Sequence, residues 1–431
     1  MNHELDAVPA ITPRHDARDR VRPETIARNL APASLSERSE WLDALRGFAL
    51  FGILLYNIQP FSGYAFRGLM PSLQPAWAAL DPTLDFVAHV LIQGKFYSLF
   101  SFLFGLGFAL QLQRAMATGA TGASMLRRRL GWLFAFGLAH ALLIWFGDIL
   151  TVYAVFGFAL LLFRNASQRA LLAWALVFLA SPVAIYLVFL AVGLGDPLAG
   201  DPSTPPGESL VGRAVRAILT GSYADVVQTQ LVFYPGGWLR RAVQLALPRI
   251  FGMFLLGAWT ARIGLPAARE ANRAMLRRWL VLGLALGLPL NIAFSMLGGN
   301  EALLPASATG LLAVSLASLG MPLLCLAYVA MFALWWRTPR PQHLLVAAGR
   351  TALSQYLGQS VVCVALFYGF GLGLFGRVSY AAALLIAIAV YLLLSSLARR
   401  WLARFGQGPM EMLWRRLSYR PGRGGSALTP Q

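Results

Sequence analysis

Charge is what this 431-residue chain has least of. Only 13% of its residues are Asp, Glu, Lys or Arg, about half the share found in soluble domains, which excludes an ordinary water-soluble fold. Lys95 is the single lysine, and Asp148 is the single acid between Asp85 and Asp196. The two cysteines, Cys325 and Cys363, lie inside apolar runs without metal-ligand spacing, which argues against a disulfide framework and a zinc site. No Walker sequence, HExxH or GxSxG is present. Gly369, Gly371, Gly373 and Gly376 follow no strand, so they do not make a dinucleotide loop. Two-residue alternation is missing as well, which excludes a membrane β-barrel.

Long apolar runs are what the chain does have. Its residues are 58% hydrophobic and its mean hydropathy is +0.61. The runs are helix-length and continuous, so the expected fold is all-α: a polytopic transmembrane helical bundle of about ten spans. They begin near residues 42, 95, 127, 149, 171, 242, 279, 306, 344 and 380. Residues 1–39 read as a disordered cytoplasmic tail, 40–420 as the bundle with an interfacial segment at 195–238, and 421–431 as a flexible end. No small-residue cleavage site follows the first run, which is therefore read as a retained span.

The formal net charge is +18. Arginines frame the ends of the runs, as at Arg127 to Arg129, Arg277 and Arg278, and Arg399 and Arg400, but without an internal repeat. Most Lys and Arg fall in the termini and alternate loops of one side, which places both termini in the cytoplasm by the positive-inside rule. The surplus is assigned to topology and anionic headgroups, and no nucleic-acid partner is expected. The partner is the lipid bilayer and the expected location is a bacterial cytoplasmic (inner) membrane, multi-pass.

Ionisable groups inside hydrocarbon are costly and mark functional candidates. The stretch RRRLGWLFAFGLAHALLIWFGDILTVY holds two of them, His140 and Asp148. His140 follows Arg129 by eleven residues, about 16 Å of helix, near the middle of a core roughly 30 Å thick. The eight residues from His140 to Asp148 amount to about 12 Å on a straight helix, too far for a hydrogen bond. A neutral imidazole there can act as a general base or an acyl-carrying nucleophile, or join helices by bonding a serine, tyrosine or carbonyl. Asp148 is either a substrate-orienting acid or a cap at the hairpin. Asp43 and Arg46, at i and i+3, form a structural ion pair, or Arg46 binds donor phosphates. Asn57, Lys95 and Arg249 stand at the opposite ends of their runs, and Gln355 lies on a polar face with Ser354, Tyr356, Gln359 and Ser360. Together they describe a polar column through an apolar bundle. No metal site is expected.

The segments LDALRGFALFGILLYNI, GKFYSLFSFLFGLGFAL, the hairpin RRRLGWLFAFGLAHALLIWFGDILTVYAVFG, PRIFGMFLLG, AAGRTALSQYLGQS and GPMEMLWRRLSY resemble, in the same order, the YeiB-type bacterial inner-membrane proteins, domain of unknown function 418. That family is described loosely as transport-related and is distantly similar to membrane acyltransferases, including the acyltransferase-three group and the lysosomal heparan glucosamine acetyltransferase. The resemblance implies an acyl donor, acetyl-CoA or another acyl-CoA, used from the cytoplasm and not held as a resident cofactor. The acceptor would be an envelope glycan, a lipid or a small metabolite. The acyltransferase-three group pairs an arginine with a histidine eleven positions on in its first span. Here Arg46 matches the arginine, but Asn57 stands where the histidine would be, leaving His140 to replace it. The rival reading is a proton-coupled small-molecule transporter or exporter that uses His140 and Asp148.

Overall fold

The structure is a computed structural model describing residues 40–69, 75–116, 120–193, 208–243, 245–299, 306–336 and 343–419. The expected tail 1–39, the end 421–431 and the first part of the interfacial segment lie outside the described residues. Those described contain no strand. Sixteen helices are numbered here: α1 Glu40–Ser62, α2 Asp81–Leu91, α3 Lys95–Met116, α4 Ala120–Leu143, α5 Leu150–Leu160, α6 Gln168–Ala191, α7 Leu210–Thr220 and α8 Tyr223–Val243. They continue with α9 Ala246–Arg262, α10 Arg273–Leu282, α11 Leu288–Met296, α12 Ala308–Trp335, α13 Leu344–Arg350, α14 Ala352–Phe367, α15 Tyr380–Phe405 and α16 Pro409–Ser418.

Six stretches are long and apolar enough to cross a bilayer: Glu40–Leu69, Ala78–Met116, Gln168–Ala191, Arg273–Met296, Ala308–Trp335 and Tyr380–Phe405. Shorter apolar helices cover Leu150–Phe163 and Ala352–Phe367. The protein is thus a polytopic helical membrane bundle. Its long helices turn large apolar side chains outward, such as Leu176, Val177 and Val188 of α6 and Leu385, Leu392 and Leu393 of α15. Such a surface suits lipid, where the helix's own hydrogen bonds satisfy the backbone.

Lipid tails are as apolar as leucine, so close packing and hydrogen bonds hold the helices together. Two glycine contacts set how near they come. A Cβ on Gly47 of α1 would stand 2.0 Å from the Leu345 carbonyl oxygen, and one on Gly349 of α13 only 1.7 Å from that of Asp43. In the same way α3 and α9 meet at Gly105 against the Phe254 carbonyl and Gly257 against the Phe102 carbonyl.

The ninth apolar run is divided. Thr351 leaves helical geometry at φ −116° and ψ 38° between α13 and α14, and the first N–H groups of α14 need partners. Glu411 of α16 supplies them, accepting from Leu353 N at 2.7 Å, Ser354 N at 3.2 Å and Ser354 Oγ at 2.6 Å. A carboxylate suits the positive end of the helix dipole. On its other side α16 holds α4: Trp414 Nε1 donates to the Arg129 carbonyl at 2.9 Å, and the Arg129 guanidinium lies 3.7 Å from the indole centroid. One short amphipathic helix therefore joins the middle of α4 to the start of α14.

Candidate functional site

The third run is shorter than its apolar length suggests, because α4 stops at Leu143 and the chain turns back through Ile144 to Ile149. Asp148 starts the next helix: its carboxylate accepts from Leu150 N at 3.1 Å, Thr151 N at 2.8 Å and Thr151 Oγ1 at 2.7 Å. Such capping satisfies donors that a helix start leaves open. The straight-helix separation of His140 and Asp148 is thereby corrected. The chain reverses before Asp148, and His140 Nδ1 lies 3.2 Å from Asp148 Oδ1.

The other ring nitrogen, Nε2, lies 2.9 Å from Ser360 Oγ on α14. His140, Asp148 and Ser360 are 1%, 0% and 2% exposed. The carboxylate acts only as an acceptor toward Leu150 and Thr151, so it accepts a hydrogen bond from Nδ1–H as well, and Nε2 is left to accept from the Ser360 hydroxyl. Ser360 Oγ also lies 3.3 Å from the Tyr356 carbonyl of its own helix, the longer of its two contacts. The Tyr356 ring centroid is 5.0 Å from that of the imidazole and the Trp145 ring stands edge-on at 6.3 Å. Trp145 itself stacks on Phe61 of α1 at 4.2 Å. Chemically, a carboxylate orients an imidazole whose free lone pair faces a hydroxyl, which is the order that prepares a hydroxyl for proton loss.

The tip that carries Asp148 is partly enclosed, with Trp145 and Asp148 buried. Non-helical backbone in such a place must find partners inside the protein. Here Tyr223 Oη donates to the Leu143 carbonyl at 2.7 Å, Gln230 Nε2 to Ile144 at 3.3 Å, Tyr356 Oη to Gly147 at 3.4 Å and Arg241 Nη2 to Asp148 at 2.6 Å. Three of these four donors belong to α8, and two of them, Tyr223 and Gln230, fall in the segment expected to lie at the interface. The helix roofs the tip. A reciprocal cap starts it, in which Ser222 N and Oγ donate to Asp225 Oδ2 at 2.8 and 2.7 Å.

The other residues selected from sequence fall elsewhere. Arg46 Nη1 pairs with Asp43 Oδ1 at 2.5 Å, with the Arg46 side chain 29% exposed. Lys95 is fully buried and donates to the His89 carbonyl at 2.6 Å. Arg249 is 4% exposed, with Nη1 3.3 Å from Met321 Sδ. Asn57 is half-buried. Gln355 is 3% exposed, and its Oε1 has no hydrogen-bond partner among the described residues. Hydrogen bonds join His140 to both Asp148 and Ser360 in one connected group.

Tyr223, Gln230 and Arg241 were not singled out for the site, nor was Ser360 as a partner of His140. The Asp-x-x-Thr spacing of Asp148 and Thr151 is a readable capping signal that places a helix start at Asp148. Nothing local announces Ser360, which lies 220 positions beyond His140. Asp81 of α2 is a further buried acid. It accepts from Ala381 N at 3.1 Å at the start of α15 and pairs with Arg67 at 3.3 Å.

Residues 260–421 match the family described as "Protein of unknown function (DUF418)". The uncharacterized protein YxaH of Bacillus subtilis (strain 168) is 34% identical over 410 residues, covering 91% of this chain and 96% of that one. The uncharacterized protein YeiB of Escherichia coli (strain K12) is 31% identical over 417 residues, 89% of this chain and 97% of that one. An uncharacterized 39.9 kDa protein of Bacillus acidopullulyticus is 27% identical over 90% of this chain and 96% of its own length. With the relation to YxaH and YeiB running through nearly the whole of each protein, this chain belongs to the DUF418 family.

Proposed function

We propose that this protein is an acyltransferase of the bacterial cytoplasmic membrane. It moves a small acyl group from a cytoplasmic thioester, such as acetyl-CoA, to a hydroxyl or amine on an envelope glycan, a lipid or a small metabolite. The observation that carries this reading is His140, held by Asp148 through Nδ1 and facing a hydroxyl through Nε2 inside a membrane bundle. His140 is the base and Asp148 orients it and stabilises the imidazolium. Arg46, at the end of the bundle assigned to the cytoplasm, is suited to donor phosphates. Asn57, Lys95 and Arg249, with Asp148, shape the acceptor side, and Gln355 is a further substrate-binding residue. Because His140 is 1% exposed, substrate reaches it after the tip or its α8 roof moves.

The test uses purified wild type and His140→Ala with labelled acetyl-CoA and a membrane extract as acceptor source. Wild type consumes thioester and labels an acceptor, and the variant is slower by about 100-fold or more. If the wild type neither binds the donor, nor hydrolyses it, nor becomes or makes an acylated product, the reading is wrong.

A proton-coupled transporter is the second reading, favoured by one observation: the His140–Asp148 contact is an ionisable pair fully enclosed in a membrane bundle. Solute flux driven by a pH gradient in proteoliposomes, without thioester consumption, identifies it.

A further inference from the structure

We propose that Ser360 carries the acyl group covalently, as an acyl-serine formed from the thioester and discharged to the acceptor; this rests on the acyltransferase reading above. Three segments of the chain converge to make the arrangement: α4 gives His140, the tip gives Asp148 and α14 gives Ser360. A histidine that only joins two helices needs a single bond. Here both ring nitrogens are engaged, in the sequence carboxylate, Nδ1, Nε2, hydroxyl, at 3.2 and 2.9 Å. Ser360 has a carbonyl of its own helix within 3.3 Å, so packing alone does not require it to face an imidazole.

The step balances as follows. Ser360 Oγ attacks the thioester carbonyl carbon while its proton passes to His140 Nε2, and the Asp148 carboxylate stabilises the imidazolium. The carbon–sulfur bond breaks, and the thiolate leaves as the free thiol with the proton from Nε2. In the second half the acceptor's hydroxyl or amine gives its proton to Nε2 and attacks the ester carbonyl. Ser360 Oγ departs and takes the proton back.

Each half places negative charge on the carbonyl oxygen, which needs hydrogen-bond donors. The backbone N–H groups of a helix are already used, so side chains must supply them. Among the buried donors that have no acceptor within the described residues are Trp145 Nε1, whose ring lies beside His140, and Gln359 Nε2, one position before Ser360. An unsatisfied buried donor is costly, and an oxyanion would repay that cost here.

The experiment incubates the full-length protein in detergent with labelled acetyl-CoA and no acceptor, then maps the label by peptide mass spectrometry. Label on Ser360 of the wild type is expected, lost on adding acceptor and absent from Ser360→Ala and His140→Ala. Ser360→Cys supplies a chemical signature: its adduct is a thioester cleaved by neutral hydroxylamine, whereas the serine ester resists it. Transfer to acceptor falls by on the order of a thousandfold in Ser360→Ala. If Ser360→Ala melts like wild type and still transfers at the wild-type rate, or if the label sits on another residue, the acyl-serine is overturned and the acyltransferase reading survives. If the wild type consumes no thioester, both fall together.

Discussion

His140 and Asp148 meet at 3.2 Å between Nδ1 and Oδ1, although eight residues separate them, because the helix that carries the histidine ends three residues later. The carboxylate therefore has two tasks, capping α5 and orienting the imidazole, and substitutions can separate them. Asp148→Asn keeps an oxygen for the Thr151 N–H but supplies no charge for the imidazolium. We expect it to retain most of its thermal stability and to lose acyl transfer by about 100-fold to 10,000-fold. Asp148→Ala also loses the cap, which costs about 0.5–2 kcal/mol, and its melting temperature in detergent falls accordingly. Equal activity in wild type and Asp148→Asn contradicts the assignment.

The roof contacts give a second expectation. Arg241 donates to the Asp148 carbonyl at 2.6 Å, and removing one partner of a buried hydrogen bond costs about 1–3 kcal/mol. Arg241→Met should destabilise the protein by that amount and speed amide exchange at residues 143–149. Unchanged exchange at the tip argues against α8 as its support.

At the opposite end of α14, Glu411→Ala removes three hydrogen bonds from the helix start. A loss of about 1–2 kcal/mol is expected, in the range of helix caps, and Glu411→Gln should recover part of it. Thermal melts of the three proteins decide the matter, with identical curves counting against the cap.

Gly349 admits no side chain where it stands. A Cβ would meet the Asp43 carbonyl oxygen at 1.7 Å, and backbone cannot yield as a flexible side chain does. Gly349→Ala should separate α13 from α1 at a cost of about 1–3 kcal/mol or more, seen as lost monodisperse material in size-exclusion chromatography. Gly131→Ala, at a glycine with open space around it, is the control.

Acid should loosen the first turn of α8. Hydrogen bonds from the Ser222 hydroxyl and N–H hold the Asp225 carboxyl below its usual range. A lowered value in the folded state gives stability above the ordinary carboxylate value of about 4, lost as pH falls through the lower folded one. Exchange protection around residues 222–226, corrected for intrinsic rates, should decline below about pH 4. Asp225→Asn should flatten that dependence, and a variant that keeps the wild-type profile removes Asp225 as its cause.

Much of the bundle is legible along the chain. Apolar length, scarce charge and arginine-framed ends are local properties, and hydrocarbon imposes the helix wherever they occur, so α1, α3, α6, α12 and α15 lie close to their expected positions. The rarity of acids singles out Asp148, and an imidazole in the middle of an apolar run singles out His140. What the sequence did not disclose is where a helix stops within an apolar run. Gly147 and Asp148 announce a tight hairpin, but Leu143 to Phe146 is as hydrophobic as the turns before it, so hydropathy does not show that the helix stops at Leu143.

The meeting of His140 with Ser360 was decided by tertiary structure alone. It depends on how α4 and α14 are clamped, by α16 on one side and around the tip on the other, over a separation of 220 residues. The sequence determined that an imidazole and a carboxylate would be carried by a membrane bundle. The packing of the helices determined which hydroxyl that imidazole faces, because periodicity fixes a residue's place on its own helix and says nothing of what stands opposite.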